Sequence, residues 1–254
     1  MNNKKLIVAN WKMNPRTLFE ANTYFGKIKR KANALTRVQT VICPPFLFLD
    51  SLSKKATRTC ALGAQNAFFE TEGAHTGEIS PAQLYALNVS YVILGHSERR
   101  ALGETDELIR EKIMASLMYR LNVILCVGEK ERDATGQYLS FLKDQIKKSL
   151  SKIPAKQLTR LIIAYEPIWA VGAKAKSSDT PESFFEVAIF IRKILSDLFG
   201  KSFAFHVPIL YGGSVNRHNA GEFLKEGAVA GLLIGRASLD SEEFNEILKI
   251  AQQS

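Results

Sequence analysis

The chain has 254 residues, 46% hydrophobic and 23% charged, a balance that fits a globular protein with a sizeable core and excludes a disordered or fibrous one. No stretch approaches the ~20 apolar residues of a membrane helix, and Met1-Asn2-Asn3-Lys4-Lys5 opens no secretory leader, so no membrane partner is expected. The net charge of +9 is carried by lysines and arginines scattered over stretches that read as amphipathic helices, so it is read as solvated outer faces rather than as a nucleic-acid site.

Short apolar or β-branched runs at Leu6–Ala9, Val38–Cys43, Thr59–Ala64, Tyr91–Leu94, Asn122–Val127, Leu161–Tyr165, Val207–Tyr211 and Ala230–Ile234 read as buried strands. Between them lie stretches of helical period. Asp106–Arg120 carries Leu108, Ile109, Ile113 and Leu117, and Phe184–Phe199 carries Phe185, Ala188, Ile189, Ile191, Leu195 and Leu198. Asn14-Pro15 and Thr180-Pro181 each set a capping residue before a proline suited to the first helical position. Ser80-Pro81-Ala82-Gln83 adds a capping-box glutamine.

Eight strand–helix units without a linker predict an α/β fold, one (β/α)8 barrel over residues 1–254. Periodicity does not show closure. A doubly wound open sheet is the alternative, against which stands the lack of a G-x-G-x-x-G turn after the first strand. Three cysteines, Cys43, Cys60 and Cys126, have no paired spacing and read as free thiols of a reducing, cytoplasmic compartment.

In a barrel, chemistry gathers at the carboxyl ends of the strands. Those ends carry Asn10 and Lys12, Gln65 and Asn66, His96 and Glu98, Glu129, Glu166, Tyr211-Gly212-Gly213-Ser214 and Gly235. Glu166 follows a greasy run and precedes Pro167-Ile168-Trp169. A structural carboxylate paired with a lysine is the bland reading; a desolvated general base is the favoured one. His96 precedes a plausible helical turn, Ser97-Glu98-Arg99-Arg100, whose amino end would favour a neutral, hydrogen-bond-donating imidazole. Lys12 would fix a positive charge at the mouth, and Asn10 shares its strand face by the period of two.

Gly172, Gly212-Gly213-Ser214 and Gly235 could together offer backbone N–H groups to a phosphate. The four histidines form no metal motif and the cysteines no Cys-x-x-Cys, so neither a metal nor another cofactor is expected. A Cys126–His96 pair is conceivable, but a buried inert thiol is the better reading of Cys126. These residues suit proton abstraction beside the carbonyl of a small phosphorylated compound.

Eight segments carry a resemblance: VANWKMN (8–14), GAQNA (63–67), HTGEIS (75–80), GHSERR (95–100), CVGE (126–129), AYEPIWAVG (164–172), YGGSV (211–215) and IGRASL (234–239). In this order they resemble the triosephosphate isomerase family. The resemblance implies interconversion of dihydroxyacetone phosphate and glyceraldehyde 3-phosphate through an enediolate, a step of glycolysis and gluconeogenesis. Glu166 would then move the proton, His96 polarise the carbonyl and shuttle protons between oxygens, Lys12 stabilise negative charge and Asn10 orient the substrate. Gly172, Ser214 and the amides of Gly235 and Arg236 would hold the phosphate.

The neutral histidine and the closing lid are known features of that family and come with the resemblance. Pro167 to about Lys176 would be the lid, with Val171 and Leu233 against the carboxylate. Thr76 to Glu78 resembles the loop by which family members dock into a partner, so a homodimer is implied. Two departures stand out. The lid continues Ala173-Lys174-Ala175-Lys176 where the family usually has Gly-Thr-Gly-Lys, and Arg236 stands where a second glycine is usual.

Overall fold

The computed structural model describes residues 4–133, 135–170, 179–225 and 229–254. Its strands are β1 (Lys5–Asn10), β2 (Val38–Cys43), β3 (Cys60–Ala64), β4 (Tyr91–Leu94), β5 (Asn122–Val127), β6 (Leu161–Tyr165), β7 (Ile209–Tyr211) and β8 (Gly231–Ile234). Helices α1 (Leu18–Asn33), α2 (Phe46–Ser53), α3 (Pro81–Ala86), α4 (Ser97–Ala101) and α5 (Asp106–Met118) fall in the first half. The second half holds α6 (Gln137–Leu150), α7 (Pro181–Phe199), α8 (Lys201–His206), α9 (Ala220–Lys225) and α10 (Ser241–Gln253).

Every strand pairs in parallel with the next, and β8 returns to β1 in register from Leu6 opposite Gly231 to Ala9 opposite Ile234. That closing ladder makes the fold a (β/α)8 barrel and removes the open-sheet alternative. The runs read as strands at Val38, Tyr91, Asn122 and Leu161 coincide with β2, β4, β5 and β6. The seventh is shorter than expected: β7 begins at Ile209, because Pro208 has no N–H to give a ladder and Val207 still caps α8.

The period of two divides each strand between two cores. Ile7, Ala9, Ile163 and Ile209 face outward and pack with the helices. Leu6, Val8, Val41, Ile93, Ile124, Cys126, Ile162, Ala164, Leu210 and Leu233 face inward and fill the barrel. The inward parity, continued past the strands, arrives at Asn10, Glu166, Gly212 and Gly235. The alternation that fills the barrel therefore also aims these positions into its mouth.

The helices cover the outer core by ordinary amphipathic spacing, Ala21, Phe25, Ile28 and Ala32 on α1 for example. Asn14-Pro15 does not start that helix, contrary to the capping signal. The peptide bond there is cis, and α1 begins at Leu18 after Thr17, whose hydroxyl accepts from Glu20 N–H while the Glu20 carboxylate accepts from Thr17 N–H. This reciprocal box satisfies two end donors at once, worth about 1 kcal/mol, and outcompetes the proline signal. Thr180-Pro181 and Ser80-Pro81 cap α7 and α3 as expected, the latter with its glutamine box.

On α7 the buried stripe is Phe184, Val187, Ala188, Ile191, Ile194 and Leu195, so Phe185 and Ile189, counted in the helical-period set, are exposed. The helix is apolar over more than one face, and periodicity could not say which face turns inward. No described helix is long and apolar enough to cross a membrane.

Candidate active site

Asn10 closes β1, nearly buried, and its Oδ1 accepts from Lys12 N–H at 3.1 Å. This short turn holds Lys12 in the left-handed region, φ 53°, an arrangement that costs free energy for a residue with a side chain. Gln65 fastens the turn from β3, donating to Lys12 O at 2.8 Å and Cys43 O at 2.9 Å. The lysine side chain then runs across Gly235, where a Cβ would lie 3.3 Å from Lys12 Cε. Its ammonium ends 2.5 Å from Glu98 Oε1.

His96 belongs to the outward parity of β4 and would point away from the mouth if the strand simply continued. Gly95 prevents that. Its φ of 70° turns the chain, and a Cβ there would meet Cys126 O and Arg100 Nη2. His96 consequently becomes the cap of α4, with Nδ1 accepting from Glu98 N–H at 3.2 Å. A ring nitrogen that accepts carries no proton, so a neutral ring has its proton on Nε2. Glu98 Oε2, the only other acid on that nitrogen among the described residues, is 3.8 Å away, too far to replace the amide.

Nε2 faces Glu166 Oε1 at 3.1 Å, and Glu166 Oε2 accepts from Ser97 N–H at 3.1 Å. Glu166 is 3% exposed, and this pair of contacts gives each of its buried carboxylate oxygens a partner. The main chain of Glu166 is equally fixed: its N–H donates to Val127 O at 2.8 Å, and its carbonyl lies so close to Gly128 that any Cβ at 128 would collide with it. Gly212 flanks the side chain, a Cβ there falling 3.0 Å from Glu166 Cγ.

Cys126 is buried in the barrel core close to Glu166. Burial first, then the neighbouring carboxylate, push its thiol well above the ordinary range, so it is no thiolate nucleophile and the inert reading stands. Leu233 is buried in the barrel core together with Cys126 and Ala164, beneath the mouth.

The segment after Glu166 forms a short 3-10 turn, Ile168–Ala170. Glu129, a strand-end acid without an assigned role in the sequence, anchors it. Its Oε1 accepts from Tyr165 OH at 2.7 Å and Trp169 Nε1 at 2.8 Å, and its carbonyl accepts from Ile168 N–H at 3.1 Å. Burial raises the Glu129 carboxyl, an effect the two side-chain hydrogen bonds oppose. Arg132 lies 5.5 Å from the centroid of the Trp169 ring.

On the far side of the mouth, Ser214 and Arg236 are both exposed, so the Arg236 side chain has the room that a family glycine would not need. Gly235 O accepts from Ser238 Oγ at 2.6 Å and Ser238 N–H at 2.9 Å, which orients the turn beginning at Arg236. Gly172 and Val171, and the expected lid from Val171 onward, lie outside the described residues.

Asn10, Lys12, His96, Glu166, Ser214, Gly235 and Arg236 thus all arrive at one end of the barrel. Glu98, partner of Lys12, and Glu129 were legible as strand-end acids but not as partners. A third, buried cluster escaped sequence reasoning: Glu104 Oε1 takes Lys112 Nζ at 2.6 Å and Arg99 Nη2 at 2.6 Å, with Lys112 also donating to Asn66 Oδ1. A lysine within an apolar stripe gives no sequence signal of burial.

A closed parallel barrel with a buried carboxylate, an imidazole and a lysine at the carboxyl ends of its strands is an enzyme of the (β/α)8 class, equipped for acid–base chemistry. Comparison with known proteins is specific. The family model described as Triosephosphate isomerase matches residues 5–251. Relatives described as triosephosphate isomerase include one from Carboxydothermus hydrogenoformans, 44% identical over 97% of this chain and 98% of its own. One from Dictyoglomus turgidum is 41% identical over 97% and 99%, and one from Natranaerobius thermophilus 38% over 98% and 97%. The chain belongs to the triosephosphate isomerase family.

Proposed function

We propose the following division of labour for the reaction that family membership gives the chain, the interconversion of dihydroxyacetone phosphate and D-glyceraldehyde 3-phosphate. Glu166 removes a proton from the carbon beside the carbonyl, leaving an enediolate, and returns it to the neighbouring carbon. His96 donates from Nε2 to the carbonyl oxygen and relays protons between the two oxygens. Lys12 stabilises the negative charge that develops on them, and Asn10 orients the substrate. No atom is gained or lost, so the residues need no cofactor to balance the step.

The observation that carries this reading is the contact between His96 Nε2 and Glu166 Oε1, 3.1 Å, with His96 Nδ1 occupied by an amide N–H. A base and a proton donor that touch must part to admit a substrate between them. Each would then exchange its contact for one to the substrate, the donor to the carbonyl oxygen and the base to the adjacent C–H.

The Ser214, Gly235 and Arg236 amides, with Gly172, hold the phosphate. The exposure of Ser214 and Arg236 on one rim of the mouth is compatible with that role. The chain acts as a homodimer through the loop containing Thr76–Glu78. The exposure of those three residues, and of Met13 at 91%, supports a covered face in the assembly. A cytoplasmic location goes with this reading.

The test is turnover of glyceraldehyde 3-phosphate by wild-type protein, with dihydroxyacetone phosphate read through an NADH-dependent coupling enzyme and Glu166→Gln alongside. Turnover in the wild type, lost in the variant, is expected. Equal rates in the two proteins would remove Glu166 from the role of base.

A further inference from the structure

The end of the barrel opposite Glu166 carries two adjoining cavities, of about 520 and 530 Å3. They share the wall formed by Asn88, Ser90 and Asn122, at the amino ends of β4 and β5. Arg58 lines the first, and Arg120 and Arg160 line the second. Among the described residues, no aspartate or glutamate lines either. The arginines that find carboxylate partners among the described residues are Arg99, Arg100, Arg110, Arg132 and Arg217, so these three guanidiniums remain without one. All three are exposed.

Apart from these arginines, the lining among the described residues is uncharged. Arg160 donates to Asn122 Oδ1 at 3.4 Å, in the wall that the two cavities share. Gln39 fixes the Arg58 main chain by donating to its carbonyl at 3.0 Å. Asn88, Ser90 and Thr57 add amide and hydroxyl groups to the lining. Arginine forks suit phosphate oxygens, and volumes of this size are those of small-ligand sites.

We propose that this amino-terminal mouth binds a small polyphosphate, an anion with at least two phosphate groups, spanning Arg58 in one cavity and Arg120 with Arg160 in the other. One phosphate would satisfy one cavity only. A nucleic acid is the poorer fit, because the positive groups line a short concave wall and not a continuous stripe.

A bland reading competes: arginines at this end could simply offset the negative ends of the helices. It suits Arg120, just beyond the last turn of α5, and Arg160, the last residue of the short 3-10 helix Ala155–Arg160, but not Arg58, which lies two residues before β3.

The test is calorimetric titration of the whole protein with inorganic tripolyphosphate, with glycerol 3-phosphate present in excess to occupy the active-site phosphate position. Micromolar binding is expected, weakened at least tenfold in the Arg58→Ala/Arg120→Ala/Arg160→Ala variant. It should be unaffected in a control removing three lysines of α6, Lys143, Lys147 and Lys148. Circular dichroism and thermal unfolding verify that both variants are folded. No binding in the wild type, equal binding by the arginine variant, or equal losses in the two variants would overturn the proposal. So would tighter binding of a single-stranded oligonucleotide than of tripolyphosphate at physiological salt.

Discussion

Replacing Glu166 by aspartate moves one functional group by a known amount. The carboxylate stands at the end of two methylenes, and losing one retracts it by roughly 1 Å, a displacement that costs on the order of a hundredfold in rate when reacting atoms must meet. Local adjustment cannot recover the distance. The Glu166 N–H is tied to Val127 O at 2.8 Å, and the carbonyl is pressed against Gly128. His96 is fixed too, by its Nδ1 on the Glu98 amide. A hundredfold corresponds to about 2.7 kcal/mol on the barrier. Steady-state kinetics with glyceraldehyde 3-phosphate should show kcat reduced by about this factor with KM little changed, because the proposed assignment gives the phosphate to other residues. A kcat within about threefold of wild type would refute the geometric argument, and an increase in KM alone would make Glu166 a binding group rather than the base.

Other perturbations separate chemistry from stability. Lys12→Met should nearly abolish turnover while the protein stays folded, since its partner Glu98 is 59% exposed and is left in water rather than buried; normal rates would remove the lysine from the mechanism. Lys112→Met should do the reverse at the level of folding. It leaves Glu104, whose side chain is 5% exposed, with Arg99 as its one remaining ion-pair partner among the described residues, and should lower stability in urea by roughly 1–3 kcal/mol; no measurable loss would mean that Arg99 alone suffices for the acid. The three thiols should resist alkylation in the native protein at neutral pH. All are buried, and burial pushes Cys60 up to about 12, so its reactive thiolate appears only as pH approaches that value. Titration with a thiol reagent should find none before unfolding and all three after it, and a native thiol that reacts within minutes would contradict the packing.

What the sequence made legible depended on short-range chemistry. The eight apolar runs announced their strands because a parallel sheet buried on both faces needs unbroken hydrophobic stretches, and β2, β4, β5 and β6 match them residue for residue. Closure was not legible, because β1 and β8 meet only in three dimensions. Asn10, Lys12, His96 and Glu166 could be singled out by their place at strand ends and by the motifs around them, and the fold brings them to one mouth. Their partners were not: the distances from Lys12 to Glu98 and from Tyr165 and Trp169 to Glu129 depend on how neighbouring strands are staggered. The Asn14-Pro15 signal failed for a related reason. Two caps competed within four residues, and Thr17 prevailed because Glu20 could complete its box.

The apolar residues after Glu166 looked, as sequence, like a cover for a base. Part of that cover is held by polar chemistry. Trp169 gives its indole N–H to Glu129, which also receives the Tyr165 hydroxyl from the residue immediately before Glu166. One buried carboxylate at the end of β5 therefore grips the chain on both sides of the carboxylate at the end of β6. Any movement of Trp169 away from Glu129 must break that partly buried hydrogen bond beside Glu166, and the free energy that restores the bond also restores the approach to Glu166. The apolar faces of Pro167 and Ile168 explain why water could be excluded there. The Glu129 contacts explain why the excluding residues have a defined position from which to do it.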